Sequence, residues 1–153
     1  MAYQQPNHIY IKENRMYIAG SKTPKDWIDN VAFIPSKLTP FHNIYQSANS
    51  ELQSNPQVNE VIGHSAGGSV LLELQKQYPN RFQKSRSYAA PVVSPFGNEK
   101  LDDNHLRFRT LRDPVAVFDN SAITVNKKTI NPFVNHSYEN FGDMGKETGM
   151  QIM

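Results

Sequence analysis

Gly63-His64-Ser65-Ala66-Gly67 is the stretch of this 153-residue chain whose residue types and spacing could do covalent chemistry. The G-x-S-x-G pattern is expected where a strand turns abruptly into a helix, with the serine at the apex in a strained backbone conformation. The residues two before and two after the serine then approach each other, and a β-carbon on either would collide. The hydroxyl is expected to project into open space, with the positive end of the following helix behind it. A shuffled chain with the same eight Gly and twelve Ser would hold roughly 0.03 matches to this motif by chance.

A serine hydroxyl is a weak nucleophile until a base takes its proton and a carboxylate orients that base. In sheets that carry this elbow the chain order is serine, carboxylate, histidine. The downstream carboxylates include Asp102, Asp103, Asp113 and Asp119, and the downstream histidines are His105 and His136. Asp113 is the best placed, a short turn after the strand candidate 106–110 and directly before Pro114; Asp119 is the runner-up. His136 has the expected order and follows Pro132-Phe133, whereas His105 precedes Asp113. Two N–H donors must face the developing oxyanion, each worth about 3 kcal/mol of barrier. Ala66, after the nucleophile, supplies one; Ser21, after Gly20, is placed to supply the second.

These groups need a scaffold. His8–Ile11 and Met16–Ala19 are short β-rich runs that read as a hairpin or two adjacent strands. Thr39-Pro40 opens a helix whose apolar face carries Phe41, Ile44, Tyr45, Ala48 and Leu52, and Pro56 stops it. Glu60–Gly63 is a buried strand, and Ser69–Tyr78 is helical. Ser87–Ala90, Leu106–Thr110 and the stretches 115–118 and 122–125 are candidates for extended structure. His8 and His42 read as surface residues, and His64 as a neighbour of the elbow. The alternation of strands and helices predicts an α/β domain spanning 1–153, with a mostly parallel central sheet and helices on both faces. Its reacting groups belong at the carboxyl edge of the sheet. The tail after about residue 142, with its glycines, is expected to be loose.

Composition narrows the function class. Sixteen Lys+Arg against fourteen Asp+Glu leave +2, too even for a dedicated nucleic-acid binder. The absence of Cys removes disulfides, thiol nucleophiles and thiolate metal sites. No secretory leader and no apolar run near the ~18 residues of a membrane span are read. The expected setting is therefore cytoplasmic or otherwise intracellular.

The chain resembles the class 3, fungal-type lipase family from about residue 16 to about residue 140. Ile18-Ala19-Gly20-Ser21 is similar to the family's strand ending in Gly-Thr or Gly-Ser, and Asp26-Trp27 to the Asp-Trp segment that follows it. Val61–Gly68 resembles the Gly-His-Ser-Leu-Gly-Gly elbow, with Ala66 in place of Leu. Tyr88-Ala89-Ala90-Pro91 resembles the next strand and its Pro, Arg112-Asp113-Pro114-Val115 the Asp-Pro-Val segment, and His136-Ser137-Tyr138-Glu139 the histidine region. Two departures stand out. No Arg precedes Gly20, and the stretch from Asp113 to His136 is much shorter than in the family.

The resemblance implies a minimal α/β-hydrolase fold and a Ser65–Asp113–His136 triad, with Ser21 and Ala66 as oxyanion donors. It also implies a flap over residues 22–34, bearing Trp27 and Phe33. The expected activity is hydrolysis of lipid esters, including at a membrane surface, without metal or organic cofactor. Acyl transfer, thioester cleavage or peptide cleavage on the same triad, or a non-catalytic interaction module of the same fold, are the alternatives.

Overall fold

The structure is a computed structural model that describes residues 1–20, 39–91, 104–113, 116, 119, 121–125 and 137. Trp27, Phe33, Ser21, His136 and the tail after 142 lie outside the described residues.

A short 3-10 turn, Ala2–Gln4, leads into β1 (Ile9–Lys12) and β2 (Arg15–Ile18). The two strands pair antiparallel, from Ile9 opposite Ile18 to Lys12 opposite Arg15. They are the expected hairpin, closed by the two-residue loop Glu13-Asn14 with Glu13 at φ 57°. The helix α1 follows at Thr39–Ser54, then β3 at Glu60–His64, α2 at Ala66–Gln77 and β4 at Lys84–Tyr88. Strands β5 (His105–Thr110) and β6 (Ile123–Val125) complete one six-stranded sheet. Strands β2 to β6 run parallel, and the spatial order β1-β2-β3-β4-β5-β6 is also the chain order. This is a mostly parallel α/β architecture.

An order that advances in one direction has a consequence. Right-handed crossovers between successive parallel strands all fall on the same face. Both described helices do lie on one face, with Ile44, Ala48 and Leu52 of α1 and Val70, Leu71 and Leu74 of α2 packed on Met16, Ile18 and Val61. Each such aliphatic chain contributes roughly 1.5–3 kcal/mol on full burial. On the opposite face Tyr17, Ile62, Tyr88 and Phe108 form a second core, to which the opening turn adds Ala2 and Tyr3. The expected second helical layer is not found among the described residues.

The sheet changes character halfway across. Toward α2, strands β2 and β3 present aliphatic groups, but β4 and β5 present Ser85, Ser87 and Arg107, with Arg107 beside Ser87 in register. That explains why β4 begins at Lys84 rather than at Ser87, where apolarity alone puts it. Its serines are small enough to let α2 lie close: a β-carbon on Gly68 would be 3.4 Å from that of Ser87. Gln75 of α2 donates to Ser85 Oγ (2.8 Å), which also meets His105 Nδ1 (2.9 Å). Arg107 makes two hydrogen bonds to Asp119, Nε to Oδ2 at 2.9 Å and Nη2 to Oδ1 at 3.0 Å, with both side chains buried.

Two stability outcomes follow. Arg107→Ala strands the buried Asp119 carboxylate, and chemical denaturation is expected to register a loss of about 3–5 kcal/mol. Ser87→Ala keeps the small size and deletes a buried hydroxyl that has no hydrogen-bond partner among the described residues. It is expected to be neutral or to stabilise by up to about 1 kcal/mol, and a loss above that would contradict the packing role.

Candidate active site

Strand β3 ends at His64 and α2 begins at Ala66, so one residue, Ser65, makes the whole turn. It does so at φ 54°, ψ −127°, a conformation that L-residues avoid at a cost of about 1–3 kcal/mol. The strand-to-helix elbow expected from the motif is present, and α2 starts three residues earlier than apolar spacing indicates. The Ser65 N–H donates to the Tyr88 carbonyl at the end of β4 (2.9 Å), and the Ser65 carbonyl accepts from Gly68 (2.9 Å) and Ser69 (3.3 Å).

The glycines act by steric absence. A β-carbon on Gly63 would lie 2.4 Å from the Gly67 carbonyl oxygen, and one on Gly67 would lie 2.1 Å from the Ile18 carbonyl oxygen. A third glycine, just past the end of β2, joins them. A β-carbon on Gly20 would stand 2.8 Å from that of Ser65 and 2.9 Å from the Ala66 nitrogen. The backbone that leads into Ser21 therefore rests directly on the elbow. The Ala66 N–H belongs to the first turn of α2, whose leading N–H groups have no intrahelical acceptor.

The site is closed. Ser65 is 4% exposed, so the expectation of a hydroxyl in open space is corrected. His64 beside it is also buried, and its Nδ1 hydrogen-bonds the Tyr3 hydroxyl. His8, read as a surface residue, instead has Nδ1 2.9 Å from the Gly20 carbonyl oxygen. Neither contact was accessible to a reading by periodicity, because the opening residues carry no apolar spacing. His42 is exposed, as expected, and bonds Gln46 on the same helix.

The carboxylates separate cleanly. Asp113 lies just past β5 at the same sheet edge as Ser65, is 1% exposed, and its Oδ1 accepts from the Ala116 N–H (3.4 Å). Strands β3 and β5 flank β4, so at about 4.8 Å per strand the two positions stand roughly 10 Å apart. An imidazole with a hydrogen bond of about 2.6–3.2 Å on each side bridges a gap of that order. Asp119 is instead committed to Arg107 and to the Ser121 N–H. His105 begins β5, at the opposite end of that strand from Asp113, and bonds Ser85. Its position sets it apart from Ser65. His136 and Ser21 lie outside the described residues.

Among the described residues no group of three His, Asp or Glu side chains is close enough to share a metal ion, and no helix is long and apolar enough to cross a membrane. Comparisons of the chain with models of known protein families, with curated proteins and with solved structures find no match.

The glycine contacts make a prediction whose sign is informative. Helix propensity alone says that Gly67→Ala, inside α2, should stabilise by about 0.5–1 kcal/mol. Its β-carbon would meet backbone on another element, so a loss of about 1–3 kcal/mol is expected instead. Gly63→Ala should behave alike, and thermal melts of both variants check it.

Proposed function

We propose that the chain is a serine carboxylic-ester hydrolase of the lipase type, built on a minimal α/β-hydrolase fold, acting on lipid esters. The observation that carries the reading is Ser65 in a left-handed strand-to-helix elbow, with the Gly20 backbone packed against it. Buried Asp113, two strands away at the same sheet edge, supports it. In this reading Ser65 Oγ attacks the ester carbonyl carbon while His136 Nε2 takes its proton. Asp113 accepts the hydrogen bond from His136 Nδ1–H and holds the ring in that tautomer. The Ala66 and Ser21 N–H groups bind the oxyanion. The alcohol leaves with the proton from His136, and water, activated by the same ring, releases the acid from Ser65. Acyl transfer to another acceptor would use the same acyl-enzyme, and competing alcohols or amines would reveal it in the products.

Burial of Ser65 has two consequences. Substrate entry requires its cover to move, and residues 22–34, with Trp27 and Phe33, are the flap in this proposal. Burial also favours a second reading, a non-catalytic interaction module that keeps the elbow for packing. Covalent capture separates the two. A fluorophosphonate is expected to label wild type at Ser65 and leave Ser65→Ala unlabelled, with labelling faster in lipid micelles than in buffer. Aryl-ester turnover should fall by about 10⁴-fold in Asp113→Asn and persist in Asp119→Asn after correction for folded fraction. Absence of labelling under both conditions would support the packing module.

A further inference from the structure

Strand β1 closes the sheet on the hairpin side, and among the described residues no strand pairs with its outer edge. The His8 carbonyl accepts from the Ala19 N–H, so His8 turns its backbone groups toward β2. In an antiparallel ladder this direction alternates along the strand. Tyr10 and Lys12 therefore also turn inward, and Ile9 and Ile11 turn outward. The Ile9 N–H agrees, donating at 3.1 Å to the side chain of Asn7. Asn7 Oδ1 thus stands where a neighbouring strand's carbonyl would stand. Three outward groups follow it: the Ile9 carbonyl, the Ile11 N–H and the Ile11 carbonyl. Such a row is a ready template for another strand.

A cavity of about 290 Å³ opens beside this edge, with Gln5, Asn7, Glu51 and Asn55 on its walls. Glu51 brings the charge. Asn7 Nδ2 donates to its Oε1 (3.4 Å) and Asn55 Nδ2 to its Oε2 (3.3 Å). Both partners are neutral, and among the described residues Glu51 makes no ion pair. Its carboxylate is therefore held in place without being neutralised.

We infer that this edge takes up an extended peptide of a partner protein, added as a further strand beside β1, with a lysine or arginine on Glu51. The peptide backbone answers the three outward groups, and the cation supplies the specificity. Ile9 and Ile11 face α1, so alternate residues of an added strand point to the same side as Glu51. A second copy of the chain fits less well. Lys12 shares the face of Tyr10, away from α1, so a β1-to-β1 pairing brings no lysine to Glu51. Its two-fold axis would instead bring the two Glu51 carboxylates toward each other. A small cation would meet Glu51 and leave the edge unanswered.

The test uses the full chain and two blocked pentapeptides, acetyl-Thr-Lys-Thr-Lys-Thr-amide and its counterpart with Glu for Lys. Binding is followed by the NMR shifts of the Ile9 and Ile11 amides. The Lys peptide is expected to saturate with a Kd below about 1 mM and the Glu peptide to bind at least ~10-fold more weakly. Glu51→Gln should bring the two within about twofold, and Glu51→Lys should reverse their order. Ile11→Pro deletes an outward N–H at a position where an edge strand accepts proline. It should weaken the Lys peptide by more than ~10-fold, as should methylation of every backbone nitrogen of that peptide. The methylated peptide leaves the protein unaltered, so it carries the test if Ile11→Pro does not fold. No saturable shift, equal binding of the Lys and Glu peptides, or undiminished binding of the methylated peptide overturns the inference. A wild-type dimer that Ile11→Pro dissociates also overturns it, by giving the edge to a second copy. No readout involves Ser65, so the result is separate from that for ester hydrolysis.

Discussion

Everything at the candidate site depends on backbone approaching backbone where a single extra carbon would not fit. Gly20, Gly63, Gly67 and Gly68 each face a neighbour that a β-carbon would meet at under 3 Å. The neighbours are the elbow, the start of α2, the end of β2 and Ala90. Four hydrogens thus stand in for four side chains at the point where three strands and a helix converge. Interiors are packed too densely to absorb such overlaps by small adjustments. The closeness also has a chemical result. It brings Gly20, just after β2, against Ser65 and the first N–H of α2.

The same edge stores strain. Ser65, Ala89 and Arg112 have φ of 54°, 49° and 68°, and they follow β3, β4 and β5 respectively. At about 1–3 kcal/mol each, their sum is a sizeable share of the ~5–15 kcal/mol that holds an ordinary domain folded. Each position is braced by a backbone hydrogen bond: Ser65 to Tyr88, Ala89 to Phe108, and Asp113, directly after Arg112, to Thr110. The first two bonds run across the sheet at its carboxyl edge, from the end of β3 to β4 and from the end of β4 to β5, while the third closes the turn after β5. Strain of this kind clusters at active sites in general, which is why the proposed chemistry is placed at this edge.

The sequence made legible whatever local sterics and short-range periodicity control. The hairpin, α1 and the elbow were readable because alternation, a 3.6-residue period and two glycines around a serine each have a local cause. Strand β4 was displaced because Lys84-Ser85-Arg86-Ser87 has the composition of a loop. Its serines are explained only by the close approach of α2 above them, which local composition does not encode. The choice between Asp113 and Asp119 is similar. Both are turn aspartates near β5, and Arg107 alone marks the second as an ion-pair partner. The contacts of Tyr3 with His64 and of His8 with Gly20 could not be read, since Tyr3 reaches His64 across 61 positions of sequence. Helices on both faces were expected from alternation, but alternation does not encode strand order, and an order without reversal carries its crossovers on one side.

Burial of Ser65 and strain at Ser65 pull toward different interpretations, and their magnitudes can be weighed. A buried hydroxyl suits packing as well as it suits a closed active site. Water exclusion strengthens donors aimed at a developing charge, so a covered serine is no obstacle to catalysis if the cover can leave. A left-handed residue at a sharp turn has a cheaper alternative for packing alone, because glycine adopts φ 54° with no β-carbon to strain. The chain already uses glycine at residues 63, 67 and 68, where the turn demands it. At residue 65 it carries a side chain at φ 54°, a cost it also accepts at Ala89 and Arg112. Strain of this size recurs at strand ends that carry no hydroxyl, so it is the oxygen on the strained turn, and not the strain by itself, that distinguishes residue 65 and gives the proposed chemistry its starting point.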